Sequence, residues 1–292
     1  MGASMSMGHR YIKTLRPNAL TNNPFPPAAS RLQVKGIITQ RTLHNLFSLT
    51  LVAVLALLSS VLAVNQPTLV NLRIEGSTNT IFEGPIITRG HNVTTVSGGT
   101  HHCDGTNNNA NPTPGPTCTS ALDDASKIHH FTFDGYVSYF LISHCAKWLI
   151  HGAKCYSTFS TEFDDFFITS IGGVTQTATE FWGILLNFQF IPVGGCQQEV
   201  KLNDDILFAF NAFNAVHFLK LTGPETANVG SPVLLTVTDG QTGSPVAGAD
   251  VNGDISDANG HVSVTFAQVG LQKVKATKSD SIRSNQLSIL VI

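Results

Sequence analysis

The chain has 292 residues, of which 12% are charged and 25 are Gly, with a formal charge of −2. That composition leaves room for two ordinary domains and favours β structure over long charged helices. Residues 1–41 hold six of the 17 basic residues and none of the 19 acidic ones, so from residue 64 onward eleven bases stand against nineteen acids; an acidic body of this kind excludes general nucleic-acid binding, which needs basic side chains to displace counterions.

Residues 1–41 read as a basic, disordered extension and residues 42–63 as a signal-peptide segment. Its uncharged apolar run, Leu46–Ala63, ends in Val61-Leu62-Ala63, with small residues where a signal peptidase reads. Cleavage is expected before Val64. An uncleaved signal anchor is the alternative, because the run approaches the roughly 20 residues that cross a bilayer. Leu287–Ile292 is only of strand length, so no C-terminal lipid-anchor signal is expected. Export makes Cys103, Cys118, Cys145, Cys155 and Cys196 candidates for disulfides, and an odd number leaves at least one over. Asn92-Val93-Thr94 is a glycosylation sequon in a polar stretch, whereas Asn111 is followed by Pro112.

After Val64, Val70, Leu72 and Ile74 alternate with Asn71, Arg73 and Glu75, which predicts a half-buried strand, and Ile81–Gly84 returns as a hairpin partner. Residues 97–119 are rich in Gly, Asn, Pro and Thr and are expected to form a long surface loop. Ser120 and Asp123 have capping-box spacing, so one short helix is placed there, with Ala121, Leu122 and Ala125 on its apolar face. Tyr136–Ser157 is apolar and aromatic but holds neither the helical nor the strand period.

Residues 159–218 contain eleven of the 18 Phe. Tight turns are expected at Gly172-Gly173 and Gly194-Gly195. Trp182, Ile184, Leu186, Phe188 and Phe190 share the even positions that one strand face would bury, and Ile206, Phe208 and Phe210 repeat the pattern. Thr222-Gly223-Pro224 reads as a seam. Beyond it, Val233-x-Leu235-x-Val237, Val262-x-Val264-x-Phe266, Val274-x-Ala276 and Leu287-x-Ile289-x-Val291 are short alternating strands of a sandwich, small enough that docking on the first domain is expected.

Several groupings carry candidate chemistry. His101-His102-Cys103-Asp104, with His91 and His129-His130, has metal-ligand residue types, but adjacent loop histidines do not easily face one ion and an exported cysteine is more often bridged. His144-Cys145 with His151 and Cys155 resembles a zinc finger only in residue type. Asp250, Asn252 and Asp254 alternate like the first ligands of a calcium loop, yet Ile255 stands where Gly is needed and no acid follows at the twelfth place. The carboxylate pairs Asp123-Asp124, Asp164-Asp165 and Asp204-Asp205 read as caps or turns, because neighbours along a strand point to opposite faces. Neither a nucleophile elbow nor a phosphate-binding Gly loop occurs. No metal, cofactor or catalytic residue is therefore expected. Trp182 and Asn187 are the candidates for a ligand face, against the commoner role of such an aromatic in a core.

Residues 68–222 resemble the transcobalamin-like C-terminal domain, a β-grasp-type module of secreted microbial proteins. The resemblance is carried by Val70–Gly76, Ala121–Ala125, Phe167–Gly173, Phe181–Asn187 and the strand after Asp204-Asp205. Glu225–Ile292 resembles bacterial-surface immunoglobulin-like repeats through Gly243–Ala249 and Asp257–Gly260. The combination looks like uncharacterised secreted proteins of fungal and actinobacterial type. The ring of paired helices that holds the other face of cobalamin in transcobalamin is absent, so cobalamin binding is not implied. Tyr136–Ser157 has no counterpart in the pattern and is read as a lineage-specific insertion or a retained intron. The resemblance implies a Cys103–Cys196 bridge, with Cys103–Cys118 as runner-up.

The expected fold is mainly β: an α+β, β-grasp-like domain over 64–223 with one short helix and an irregular insertion at 136–157, then a small immunoglobulin-like β-sandwich over 224–292. The expected function is non-enzymatic binding or display outside the cell, or in association with the cell wall. Its partner would be a small molecule, a glycan or a wall component, with no nucleic acid, and a membrane only if the signal segment stays uncleaved. The alternatives are a structural or adhesive wall protein, and a secreted hydrolase.

Overall fold

The structure is a computed structural model that describes residues 65–134 and 158–292. The basic extension, the Leu46–Ala63 run and the Tyr136–Ser157 segment, with Cys145, His151 and Cys155, lie outside the described residues.

The fold is mainly β with one α-helix among the described residues. Strands β1 (Thr68–Glu75) and β2 (Thr80–Thr88) form an antiparallel hairpin with Leu72 opposite Gly84. Strands β3 (His91–Thr95) and β4 (Gly99–Cys103) form a second. Part of the expected surface loop is thus a strand: Gly99–Cys103 finds a ladder partner only four residues upstream, and Cys103 is anchored by a bridge.

Helix α1 spans Cys118–His129, three residues longer at its start than the Ser120 capping box places it. Thr117 is the N-cap: its hydroxyl accepts from the Ser120 amide while the Ser120 hydroxyl accepts from the Thr117 amide. Asp123, expected as the reciprocal cap partner, instead faces His91 and Lys127.

Strands β5 (Trp182–Leu186), β6 (Gln189–Phe190) and β7 (Asp205–Phe210) join the first hairpin in a five-stranded sheet of order β6-β5-β7-β1-β2. Central β1 and β7 are parallel, Asn71 opposite Asp205, and the other neighbours are antiparallel. A parallel pair flanked by antiparallel strands, with one helix laid on the sheet, is the β-grasp arrangement. Val70, Leu72, Ile74, Ile206 and Phe208 pack with Ala121, Leu122 and Ala125 of the helix in one buried cluster. Each large apolar side chain so buried stabilises the fold by about 1.5–3 kcal/mol.

The alternating run from Trp182 to Phe190 is not one strand. Asn187 and Phe188 both have positive φ, 51° and 64°, and make the two-residue turn between β5 and β6. Phe188 therefore leaves the helix-side core and joins a second cluster on the opposite face of the sheet, with Leu185, Leu207 and Ala209. The two expected glycine turns differ in cause. Gly172 and Gly173 have φ of 56° and 83°, which the hairpin turn requires. Gly194 and Gly195 are not left-handed; a Cβ at Gly194 would overlap the Asp165 carboxylate, and one at Gly195 the Thr119 hydroxyl.

Strand β8 (His217–Thr222), which the sequence reading assigns to the first domain, pairs with β9 (Pro232–Asp239) and Ser281–Ile282. With β10 (His261–Thr265) these form a four-stranded sheet. It faces a sheet of Thr226–Ala227, β11 (Gly270–Val274) and β12 (Leu287–Val291) across a core of Leu235, Val237, Val262, Val264, Ile289 and Val291. The alternation in this half reports burial faithfully because one face of each strand meets that core.

The described residues, 65–134 and 158–292, belong to one compact unit. The polar face of β1 is accordingly buried at Arg73 and Glu75, while Asn71 stays exposed. Glu75 is 1% exposed and binds Lys275 and Arg283, while Lys275 also reaches Glu83 and Thr80. Arg283 donates to the Gly76 carbonyl as well. Alternation in β1 marks the side facing the helix, but the opposite side is covered by the C-terminal sheets.

Candidate functional site

Cys103 and Cys196 are bridged, and both are fully buried, whereas Cys118 is a buried free thiol whose pKa burial pushes up. The bridge ties the segment after β4 to the turn before β7. Asn107, also fully buried, donates to the carbonyls of His102 and Asp164. The Asn108 amide and the His102 imidazole both reach the Asp164 carboxylate, at 2.8 and 3.1 Å. These contacts pin the 97–119 segment against residues 163–168.

A groove of about 530 Å³ opens where those residues meet β5, β6 and the Ile191–Gly195 stretch. Its rim is aromatic. Phe163, Phe167, Phe190 and Phe213 are 38–63% exposed, and all four line it. Phe163 and Phe167 meet edge to face at 5.7 Å, and Phe190 stacks on Phe213 at 5.1 Å. Trp182 forms part of the floor, its indole N–H held by the Val174 carbonyl and its ring edge-on to Phe210. The Gln197 amide holds the Phe163 carbonyl, and Asn108 supplies one more polar group to the lining. The four exposed rings thus gather into one apolar concavity.

Asp165 is the groove's ionisable group. Its carboxylate accepts from the amides of Phe166 and Cys196, yet burial pushes its pKa from 3.8 to about 6, against those two bonds. Because the folded pKa exceeds the unfolded one, the contribution of Asp165 to stability is full below about pH 3.8 and is lost as pH rises through about 6. Urea unfolding from pH 4 to 7 is expected to show about 2 kcal/mol of such pH dependence, absent in Asp165→Asn; equal profiles would refute the assignment.

Of the residues expected to line a ligand face, Trp182 lies in the groove and Asn187 does not. The Asn187 amide is consumed by the Asp204 carboxylate and the Asp205 amide, which fix the turn. The four rim phenylalanines were missed. The one available signal was the pair Phe166-Phe167, where period two forces one ring outward. Asn92 is exposed on β3.

The histidine groupings disperse. His101 stacks on Phe159, and His102 faces Asp164. His91 instead approaches Asp123 and Asp124, at 2.7 and 3.9 Å, and ligand atoms of the three lie within 4.8 Å of one another. That spacing suits a divalent cation, but Lys127 already binds Asp123. The hydrogen bond that His91 donates to the Asp123 carboxylate raises the His91 pKa, favouring an imidazolium that cannot ligate. The cluster fits an ion-pair set better than a metal centre. Asn252-Gly253, both with positive φ, turn the Asp250–Val251 and Asp254–Ile255 hairpin.

Residues 151–212 match the family model described as a domain of unknown function (DUF4430), a transcobalamin-like family. The matched stretch contains Phe163, Asp165, Phe167, Trp182 and Phe190, and it begins inside the segment read as an insertion. No curated protein and no solved structure matches the chain.

Proposed function

We propose that this chain is a secreted, non-enzymatic binding protein that acts outside the cell and holds an apolar small molecule in the groove over Trp182. The observation that carries the reading is the convergence of four exposed phenylalanine rings on one concavity of about 530 Å³, a size suited to a small organic ligand. A glycan face would need more hydrogen-bonding groups between its rings than Asn108 and Gln197 provide. Asp165, engaged by backbone amides, acts here as a structural carboxylate. The apolar Leu46–Ala63 run, the buried bridge and the exposed Asn92 sequon support the extracellular address.

Fluorescence titration with the neutral probe N-phenyl-1-naphthylamine tests the reading. The full chain is expected to bind it, and Phe167→Ser with Phe213→Ser, both at surface positions, is expected to weaken binding at least about tenfold, as loss of about 1.4 kcal/mol or more of ring contact requires. Unchanged affinity in the double variant, or no binding by the full chain, would overturn it.

A further inference from the structure

The face of the grasp sheet opposite the helix carries a second cavity, of about 500 Å³, between β1, β2, β7 and the C-terminal sheets. Its lining includes three cations, Arg73, Lys220 and Lys273, and two carboxylates, Glu83 and Asp205. Both carboxylates are committed elsewhere: Glu83 to Lys275 and the Gln286 amide, Asp205 to the Asn71 amide. The cations form no salt bridge among the described residues, although Glu75, Glu83 and Asp205 lie close enough to act on the Arg73 charge. Arg73 is 7% exposed, and among the described residues its guanidinium makes one hydrogen bond, from Nη1 to the Arg283 carbonyl at 2.7 Å. Neither Arg73, Lys220 nor Lys273 forms an ion pair among the described residues.

Phe188 sits among these charges, with the Arg73 guanidinium 5.6 Å and the Lys220 ammonium 5.8 Å from its ring centroid. It occupies the left-handed turn position, φ 64°, that Gly or Asn would fill without strain. The ring is held there by packing on Leu185, Leu207 and Ala209, beside a buried arginine whose guanidinium keeps donors free among the described residues. Arginine's planar donors match a carboxylate. Pro85 and Phe188 give the same cavity an apolar wall.

We propose that this cavity binds a small organic carboxylate, with its anionic end on Arg73, Lys220 and Lys273 and its apolar body along Pro85 and Phe188. The site would be distinct from the aromatic groove, with which it shares no lining residue.

The test is titration of benzoate into the full chain, followed by amide chemical shifts, with phenylmethanol and inorganic phosphate as comparison probes. Benzoate is expected to saturate with a dissociation constant below about 1 mM and to shift the amides of Phe188, Lys220 and Asn285. Phenylmethanol and phosphate should each bind at least about tenfold more weakly, and the surface double variant Lys220→Ala, Lys273→Ala should lose at least about tenfold in benzoate affinity. Arg73→Gln should lose binding also, with the lysine variant decisive if that buried change impairs folding. The proposal is overturned by benzoate binding that the lysine variant leaves intact, by equal binding of phenylmethanol or phosphate, by shifts confined to the Phe167 and Phe213 groove, or by no binding up to about 10 mM.

Discussion

Glu75→Ala is expected to destabilise the protein by about 3–5 kcal/mol, the range for removing one partner of a buried ion pair. Glu75 is 1% exposed and holds two cations from the C-terminal half, Lys275 through one carboxylate oxygen and Arg283 through the other. Its loss strands both beside the buried Arg73, and Glu83 alone is left to face Lys275. For a unit of this size the change corresponds to a fall in Tm of roughly 6–20 °C in thermal scans. The cause is uncompensated charge rather than lost volume, so Glu75→Gln should be nearly as damaging. Replacing Glu75, Lys275 and Arg283 together by Leu, Met and Met should recover much of the loss. A fall of less than about 1 kcal/mol for Glu75→Ala would mean that water reaches the cluster and that the two halves are not held together there.

Cys103→Ser with Cys196→Ser is expected to cost about 4–5 kcal/mol, because the bridge spans 93 residues and removes the closure entropy of a long loop from the unfolded chain. Up to Asn111 two hydrogen bonds cross the same gap, from the Gly105 amide to the Cys196 carbonyl and from the Asn111 amide to the Gln197 carbonyl, and the Cys118, Thr119 and Val200 amides add three more at the helix end, to the carbonyls of Gln198, Gly195 and Pro116. Without the bridge, the 97–119 segment should open first and take the Asn108 side of the groove with it. Hydrogen exchange at Asn107 and Asn108 would then rise before exchange in β7. Cys118 cannot substitute, being buried with a thiol that resists ionisation. A double variant that unfolds at the same urea concentration as the parent would refute this role.

Much of the helix-side core was legible. Val70, Leu72 and Ile74, then Ile206 and Phe208, are all buried as period two requires, because each lies on a strand with one face against α1. The same rule failed after Leu186. In the string Leu186-Asn187-Phe188-Gln189 only Asn187 favours a turn, and nothing marks a phenylalanine that takes positive φ beside it. That choice depends on the C-terminal half receiving the ring. Arg73 and Glu75 were misleading for a related reason: charged alternate residues normally mean a wet face, and only the docked sheets turn them into a buried network.

The groove shows the same division. Trp182 was identifiable as a candidate lining residue, but Phe163, Phe167, Phe190 and Phe213 come from separate turns and short strands whose convergence no local period encodes. The amino-acid sequence by itself determined the β class, the helix after Thr117, the alternating cores of both halves and, through a family resemblance, the Cys103–Cys196 bridge. These follow from short-range spacing and from which side chains avoid water. Only the tertiary structure decided which polar faces are buried, which rings stay exposed, and where charges meet, since those outcomes depend on contacts between residues distant in the chain.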